Sequence, residues 1–382
     1  MTSTENYTYY LLFLHPMDTR FFYACLLSCL WCFSQKEEIP KKFTIEANPF
    51  YGSIILHNTD ISHLINAHPA GVILGINKKN FGSKEWHEEY NYPDTGFSFV
   101  YQDMNDEILG KNFSLYAHYN FYFFKRNMQF RIGQGLAYNT NPYDKNQNFR
   151  GNAYGSHIMS STLFMLNYHK EQLFKNLGFK AGISIIHYSN ANVKAPNTST
   201  NTFAFNAGLV YNLNGNEEIV YIMNPNKEKI TQPIKANLVF RTGINESDVV
   251  NSGQFPFYIF SAYGDKRLSR KSGIQLGADV FFSNFLKELI RYQSISFPEL
   301  NIDPNTDYKR VGMFVGYELY ISKLSAIAQL GYYVYYPFDF EGKVYNRIGL
   351  KYYFGKKLFG AVTLKSHGAA AEAVEFGLGI RL

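Results

Sequence analysis

The residues best suited to chemistry lie in the stretch AGISIIHYSNANVKAPNTSTNTFAFNA, at positions 181–207. His187 and Ser189 are two residues apart, so they share one face of an extended strand, because side chains alternate between the faces of a strand. An imidazole can take the proton of a nearby hydroxyl and thereby activate the oxygen as a nucleophile. His187 and Ser189 are therefore candidates for a general base and a nucleophile.

Asn201 is the candidate for a third polar group that orients the imidazole. A loop over 191–200 makes the two flanking strands hairpin neighbours, which brings Asn201 within reach of His187. The apolar Ile185 has the same parity as His187 and Ser189, so a lipid-facing Ile185 places the polar pair in lipid as well. Polar groups on a lipid face are costly unless they have a partner or a task. Hydrolysis of a lipid ester in the outer leaflet would be such a task.

Alternation with a period of two recurs along nearly the whole chain and predicts the elements that hold these residues. In 271–282, for example, Ile274 and Leu276 fall on one face, and Gln275 and Asp279 fall on the other. Runs of this kind match a tilted membrane strand with an apolar exterior and a polar interior. A soluble β-sandwich also alternates, but its strands are usually only about 5–6 residues long. A short loop helix is predicted within 284–291.

The composition favours the same class. The chain has 31 Tyr and 34 Phe but only two Trp, as expected for aromatic girdles at the two membrane interfaces. After the N-terminal region, no stretch approaches the ~18 uninterrupted apolar residues of a spanning helix. We therefore predict an all-β fold, a transmembrane antiparallel β-barrel of the outer-membrane type with 12–16 strands. Fourteen is the expected count, because single-chain bacterial barrels usually have an even number.

Residues 1–35 are predicted to be an N-terminal extension and a cleaved signal peptide, with the true start possibly at Met17. Arg20 precedes the apolar run 21–33, which is too short for a spanning helix. A lipoprotein reading at Cys29 is the alternative. All three cysteines lie in this segment, so the mature chain has no disulfide and no cysteine nucleophile. Residues 36–382 are predicted to form a single β-barrel domain in the bacterial outer membrane.

The sequence His187-Tyr188-Ser189-Asn190 resembles the His-x-Ser-Asn motif of the outer-membrane lipid A 3-O-deacylases (PagL-type), often labelled acyloxyacyl hydrolases. Ala191, Lys194, Pro196 and Asn197 continue the likeness. The resemblance implies that Ser189 is the nucleophile, His187 the general base and Asn190 an oxyanion donor. It also implies lipid A, or lipopolysaccharide, of the outer leaflet as the partner, together with membrane lipids.

Two positions depart from the family pattern. The family has an acidic residue where this chain has Asn201, and an amide can orient an imidazole but cannot stabilise an imidazolium as a carboxylate does. The family has a glycine where this chain has Asn192. The backbone N–H of Asn192 is retained as an oxyanion donor, and asparagine tolerates a positive φ better than most residues.

The expected function is hydrolysis of an ester-linked acyl chain of lipid A, a carboxylic ester hydrolase that needs no cofactor. A non-catalytic barrel that keeps the motif, acting as a pore or a scaffold, and an esterase for another surface lipid remain alternatives. Inward charges could tune a pore or seal the barrel, and they lie at Arg131, Asp279, Arg347, Lys351 and Arg381. No metal site is expected, because the spacing of His57, His63 and His68 matches no zinc pattern. Dispersed basic residues argue against nucleic acid as a partner.

Overall fold

The fold is that of a computed structural model, which describes residues 42–215, 220–223, 230 and 232–382. The predicted signal peptide, residues 1–35, lies outside the described residues. The described chain is all-β apart from short helical segments, and every strand pairing is antiparallel. The predicted fold class is therefore confirmed.

The described residues form sixteen strands, in two groups of eight. The first group is β1 (Phe43–Ile54), β2 (Ala70–Lys78), β3 (Asp94–Asp103), β4 (Lys111–Phe123), β5 (Met128–Asn139), β6 (Ile158–Phe174), β7 (Leu177–Ser189) and β8 (Thr200–Asn212). The second is β9 (Lys235–Asn245), β10 (Phe255–Arg267), β11 (Ser272–Ser283), β12 (Arg310–Ile321), β13 (Leu324–Tyr335), β14 (Val344–Tyr353), β15 (Leu358–His367) and β16 (Ala370–Arg381).

Each group closes on itself. Strand β1 pairs with β8, and β9 pairs with β16, so the described chain contains a first barrel and a second barrel of eight strands each. The sixteen strands fall within the predicted range of 12–16, although they differ from the expected 14, and they close as two barrels where a single barrel was predicted over 36–382. Alternation along a strand reports which face is buried but carries no information about which strands pair to close a barrel. The link between β8 and β9 is the connection between the two barrels.

An eight-stranded barrel has an interior just wide enough for side chains to fill. In the first barrel, the fully buried Arg131 donates through Nη1 to Glu46 Oε1 at 2.6 Å and through Nη2 to Asn77 Oδ1 at 2.9 Å. Lys180 Nζ donates to the same Glu46 oxygen at 2.8 Å. Because each buried charge has a partner of opposite sign, the network can occupy a dry interior.

The second barrel is filled in the same way. Arg347 bridges Asp279 Oδ2 at 2.9 Å and Glu375 Oε2 at 2.6 Å, and Lys351 Nζ lies 3.0 Å from Glu318 Oε2. The alternation correctly placed Arg131, Asp279, Arg347 and Lys351 on the inner face, and Arg381 pairs there with Asp265 at 2.6 Å. Each of these inward charges therefore has an ion-pair partner within its barrel.

The longer links carry the helical segments. The predicted loop helix is present as α2 (Asn284–Ser296), longer than expected, and α1 (Glu85–Glu89) lies between β2 and β3. Short 3-10 segments occur at Thr59–Leu64 and Pro298–Leu300. Among the described residues, no helix is both long and apolar enough to cross a membrane.

Candidate active site

The direction in which the candidate side chains on β7 point follows from the residues next to them on the strand. Lys180 and Tyr188 point into the first barrel, where Lys180 binds Glu46 and both are fully buried. Successive side chains on a strand point to opposite faces. His187 and Ser189 therefore project from the outer wall, on the same face as the exposed Ile185.

His187 and Asn201 are direct partners in the β7–β8 register. Nδ1 of His187 lies 2.7 Å from Oδ1 of Asn201. An amide oxygen only accepts, so Nδ1 carries the hydrogen and donates it, which leaves the lone pair on Nε2. The imidazole is thus oriented, and in its neutral form Nε2 is available to accept a proton.

Ser189 is buried, and its hydroxyl is engaged in the loop that follows β7. Its Oγ donates to Asn197 Oδ1 at 3.1 Å and accepts from the backbone N–H of Ala191 at 3.0 Å. No hydrogen bond joins Ser189 to His187 within the part of the chain that the structure describes. The two side chains share a face and an end of the strand, but the hydroxyl points towards Asn197.

The β7–β8 loop (190–199) contains the two residues expected to hold an oxyanion. Asn190 donates through Nδ2 to Lys194 O at 2.6 Å and through its backbone N–H to Asn197 Oδ1 at 2.9 Å, so both kinds of donor are used within the loop. Asn192 adopts a φ of 58°, the left-handed conformation that asparagine tolerates. Its backbone N–H donates to no residue that the structure describes.

The second barrel contacts this loop through the β9–β10 loop (246–254). The buried Glu246 accepts the backbone N–H of Ala195 at 2.9 Å through Oε2, and its other carboxylate oxygen accepts the N–H of Gly253 at 3.0 Å. The N–H of Glu246 donates to Asn192 O at 2.8 Å, and Asn192 Nδ2 donates to Asp248 Oδ1 at 3.2 Å. One carboxylate therefore holds both loops together beside Ser189.

The structure adds residues that the sequence analysis missed. Gln134, Thr162, His187 and Asn201 are successive cross-strand partners on β5 to β8. We call these four the outer polar row. Thr162 Oγ1 donates to Gln134 Oε1 at 2.8 Å, and Gln134 Nε2 donates to Ser160 Oγ at 3.0 Å. The sequence does place Gln134 on the same strand face as the outward Ile132. Its alignment with Thr162 and His187, however, depends on the register between strands.

Other serine–histidine pairs in the first barrel are less suited to catalysis. Ser98 and His118 are 2.8 Å apart but buried in the interior, where a lipid has no access. Ser53 Oγ lies 2.8 Å from His68 Nδ1 on the surface. In His187 the same ring nitrogen, Nδ1, contacts the orienting Asn201, so in His68 the serine takes the place of the orienting residue. His57 and His63 contact backbone oxygens of Thr198 and Arg150, respectively. The described residues contain no cluster of three metal-ligating side chains.

Two family models match the chain, one from β2 to β8 of the first barrel and one over the second barrel. The model described as lipid A 3-O-deacylase (PagL) matches residues 70–210, which include His187, Ser189 and Asn201. The model described as acyloxyacyl hydrolase, C-terminal domain, matches residues 234–382, which contain the whole second barrel. The chain belongs to this PagL lipid A deacylase and acyloxyacyl hydrolase family. Membership supports a hydrolase that acts on lipid A and, together with the barrel fold, an outer-membrane protein.

The other comparisons add little. A triple mutant of the Rhodopseudomonas blastica porin is 8% identical, with 90% of this chain and 100% of that chain covered and a TM-score of 0.17. A double mutant of the same porin is 9% identical with the same coverage and TM-score. At that TM-score the likeness supports no inference about this chain. No curated protein matches the sequence significantly.

Proposed function

We propose that this family member hydrolyses an ester-linked acyl chain of lipid A, the 3-O-acyl chain, at a lipid-facing Ser-His-Asn site. The substrate lies in the outer leaflet, so its ester reaches the outer wall of the first barrel without entering the interior. Ser189 is the nucleophile, His187 the general base and Asn201 the group that orients the imidazole. No cofactor takes part.

In the first step, the Ser189 hydroxyl rotates from Asn197 towards His187, and its proton passes to Nε2 as Oγ attacks the ester carbonyl carbon. The backbone N–H of Asn192 is free to donate to the resulting oxyanion. Asn190 can join it if one of its donors leaves its partner in the loop. The sugar alcohol leaves with the proton from His187, and water then releases the fatty acid from the acyl-serine by the same route.

The observation that carries the proposal is the 2.7 Å contact between His187 Nδ1 and Asn201 Oδ1 on an outward face. Such a contact fixes the tautomer that a general base needs. The contact lies in a wall of exposed apolar side chains, which favours a lipid substrate. Polar side chains that face lipid are energetically unfavourable and are usually retained for a function.

The test is mass spectrometry of lipid A from cells that produce the intact protein, Ser189→Ala or His187→Ala. Each variant should lower acyl release on the order of 10³-fold or more, because it removes the nucleophile or the base. Ser53→Ala is the matched control, a surface serine hydrogen-bonded to a histidine on the same barrel, and it should release acyl chains like the parent. Unchanged acylation in cells with the intact protein would refute the proposal.

The position of the acyl chain and the class of lipid are tested with a panel of purified substrates. Lipid A carrying or lacking the 3-O-acyl chain is compared with a phospholipid of similar chain length. Release from the phospholipid alone would indicate an esterase for another surface lipid with the same residues.

A further inference from the structure

The outer polar row extends well beyond the groups that the proposed reaction uses. Gln134 and Thr162 continue the line of His187 and Asn201 across two more strands. Ser160 lies beside Thr162 on the same face and is the direct cross-strand partner of Ser189. Neighbouring strands are about 4.8 Å apart. With the two-residue offset along the strand included, the three additional residues lie roughly 5–12 Å from the nucleophile.

Gln134, Ser160 and Thr162 are polar residues within an apolar wall. Towards the loop end of the barrel, Leu136 and Ile158 are 66% and 60% exposed. On the opposite side, Ile132 and Phe164 also face outward. The three polar side chains consequently do not mark the end of the apolar wall, where interfacial polar residues are expected.

Their chemistry is neutral. Gln134 offers an amide, and Ser160 and Thr162 offer hydroxyls, so the group contains donors and acceptors but no charge. The three satisfy one another through the contacts at 2.8 and 3.0 Å. Hydroxyl and amide groups of a ligand can replace such mutual hydrogen bonds one for one, whereas an anionic phosphate would find no cation among them.

We infer that Gln134, Ser160 and Thr162 form a neutral hydrogen-bonding subsite on the outer wall, which binds a hydroxyl or amide group next to the scissile ester of an acylated sugar. This inference rests on the proposed function. The subsite orients the ester over Ser189, and it favours acylated sugars over esters that lack such a neighbouring group. These are positioning residues, because the reacting atoms are held by Ser189 and His187.

The subsite can be tested with Gln134→Leu and Thr162→Val in the full-length protein. On lipid A, each variant should lower kcat/KM about tenfold, mainly through a higher KM, because a hydrogen bond to the substrate is lost. On a p-nitrophenyl acyl ester in mixed micelles, which has no neighbouring hydroxyl or amide, both variants should match the parent. Thr242→Val, which alters an outward threonine on β9 of the second barrel, is the matched control and should change neither rate.

Folding gives an independent readout. An apolar replacement on a lipid face relieves the cost of a polar group there, so the urea midpoint of Gln134→Leu should equal or exceed that of the parent. A lower midpoint with equal losses on both substrates would assign these residues a structural role and overturn the inference. Parental rates on both substrates would also overturn it. Failure of the parent to hydrolyse either ester would instead refute the proposed function.

Discussion

The two barrels are alike inside and different outside. Each has eight strands and an interior closed by buried ion pairs, centred on Arg131 in the first and Arg347 in the second. The wall of the first barrel carries the outer polar row. The outward residues of the second barrel include Phe240, Leu276 and Leu350, and its one histidine, His367, is buried. We therefore expect the proposed chemistry on the wall of the first barrel, which carries this row.

The second barrel meets the first at both ends of the strands, and the two contacts differ. Near the site, Glu246 holds the β7–β8 loop through backbone hydrogen bonds. At the far end, Arg270 forms an ion pair with Glu85 of α1 at 2.8 Å. Only the first contact touches a loop that carries candidate catalytic groups. We therefore expect the second barrel to influence activity through Glu246 and not through the far end.

The largest expected effect concerns the buried ion pairs that fill the interior of each barrel. Arg131→Met and Arg347→Met each leave buried carboxylates without their main partner, Glu46 in the first barrel and Asp279 with Glu375 in the second. Removing one member of a buried ion pair costs about 3–5 kcal/mol, so each variant should lower the free energy of unfolding by that amount in urea titrations in detergent micelles.

The same interior predicts that the intact protein gives no stable single-channel conductance in planar bilayers. A steady conductance that changes with Arg131→Met, with little loss of stability, would contradict the paired interiors and restore the pore alternative.

The alternation of the sequence was sufficient to assign these inward charges, because strand geometry leaves only two faces. It also identified the β7–β8 hairpin, which brings Asn201 to His187. Closure into two barrels could not be predicted, since it depends on which distant strands pair. Gln134 had the parity of an outward residue, but its line with Thr162 and His187 requires a register that local sequence does not specify.

The contact between Glu246 and the β7–β8 loop was beyond prediction for a different reason. It joins a backbone N–H of one barrel to a carboxylate 51 residues further along the chain. The donor is a backbone N–H, which nearly every residue type has, so the sequence does not reveal it. Nothing in the sequence distinguishes Glu246 from other acidic residues in loops. Such contacts become visible only when the two loops are placed together.

The next largest effect is expected on the outer wall of the first barrel, at Asn201. Asn201→Ala removes the acceptor that orients His187, and kcat should fall roughly 100-fold with little change in KM. Asn201→Asp replaces the amide by a carboxylate that can stabilise the imidazolium, and kcat should rise about tenfold over the parent. Acyl release from purified lipid A measures both. A fall in kcat for Asn201→Asp would contradict the orienting role.

A smaller effect on kcat is expected from the contacts between the barrels, and it should differ between Glu246 and Arg270. Glu246→Ala leaves the N–H of Ala195 and of Gly253 without their acceptor, and the loosened β7–β8 loop should lower kcat about 20-fold. Glu246→Gln keeps one acceptor oxygen and should recover part of the rate. Arg270→Ala, at the far end, is the matched control and should retain full kcat. Equal losses in Glu246→Ala and Arg270→Ala would show that the second barrel acts only as a general support.

The smallest effect on activity is expected at the far end, where His87 responds to pH. His87 is buried in α1 and accepts the N–H of Gly82 through Nδ1 at 3.3 Å. Burial, with help from Lys84 and Lys78, lowers the pKa of His87 from 6.5 to about 4. The folded segment therefore binds a proton less readily than the unfolded one. Its stability is complete above pH 6.5 and is lost as the pH falls towards 4.

At pH 5.5 this difference should favour local opening of residues 79–93 roughly tenfold relative to neutral pH. Amide hydrogen exchange, corrected for the intrinsic effect of pH, measures that opening, and His87→Gln should abolish the pH dependence. Acyl release should follow the same pH profile in the parent and in His87→Gln, because the segment lies at the end of the barrel away from Ser189. A shift in that profile would mean that the far contact, like Glu246, acts on the site.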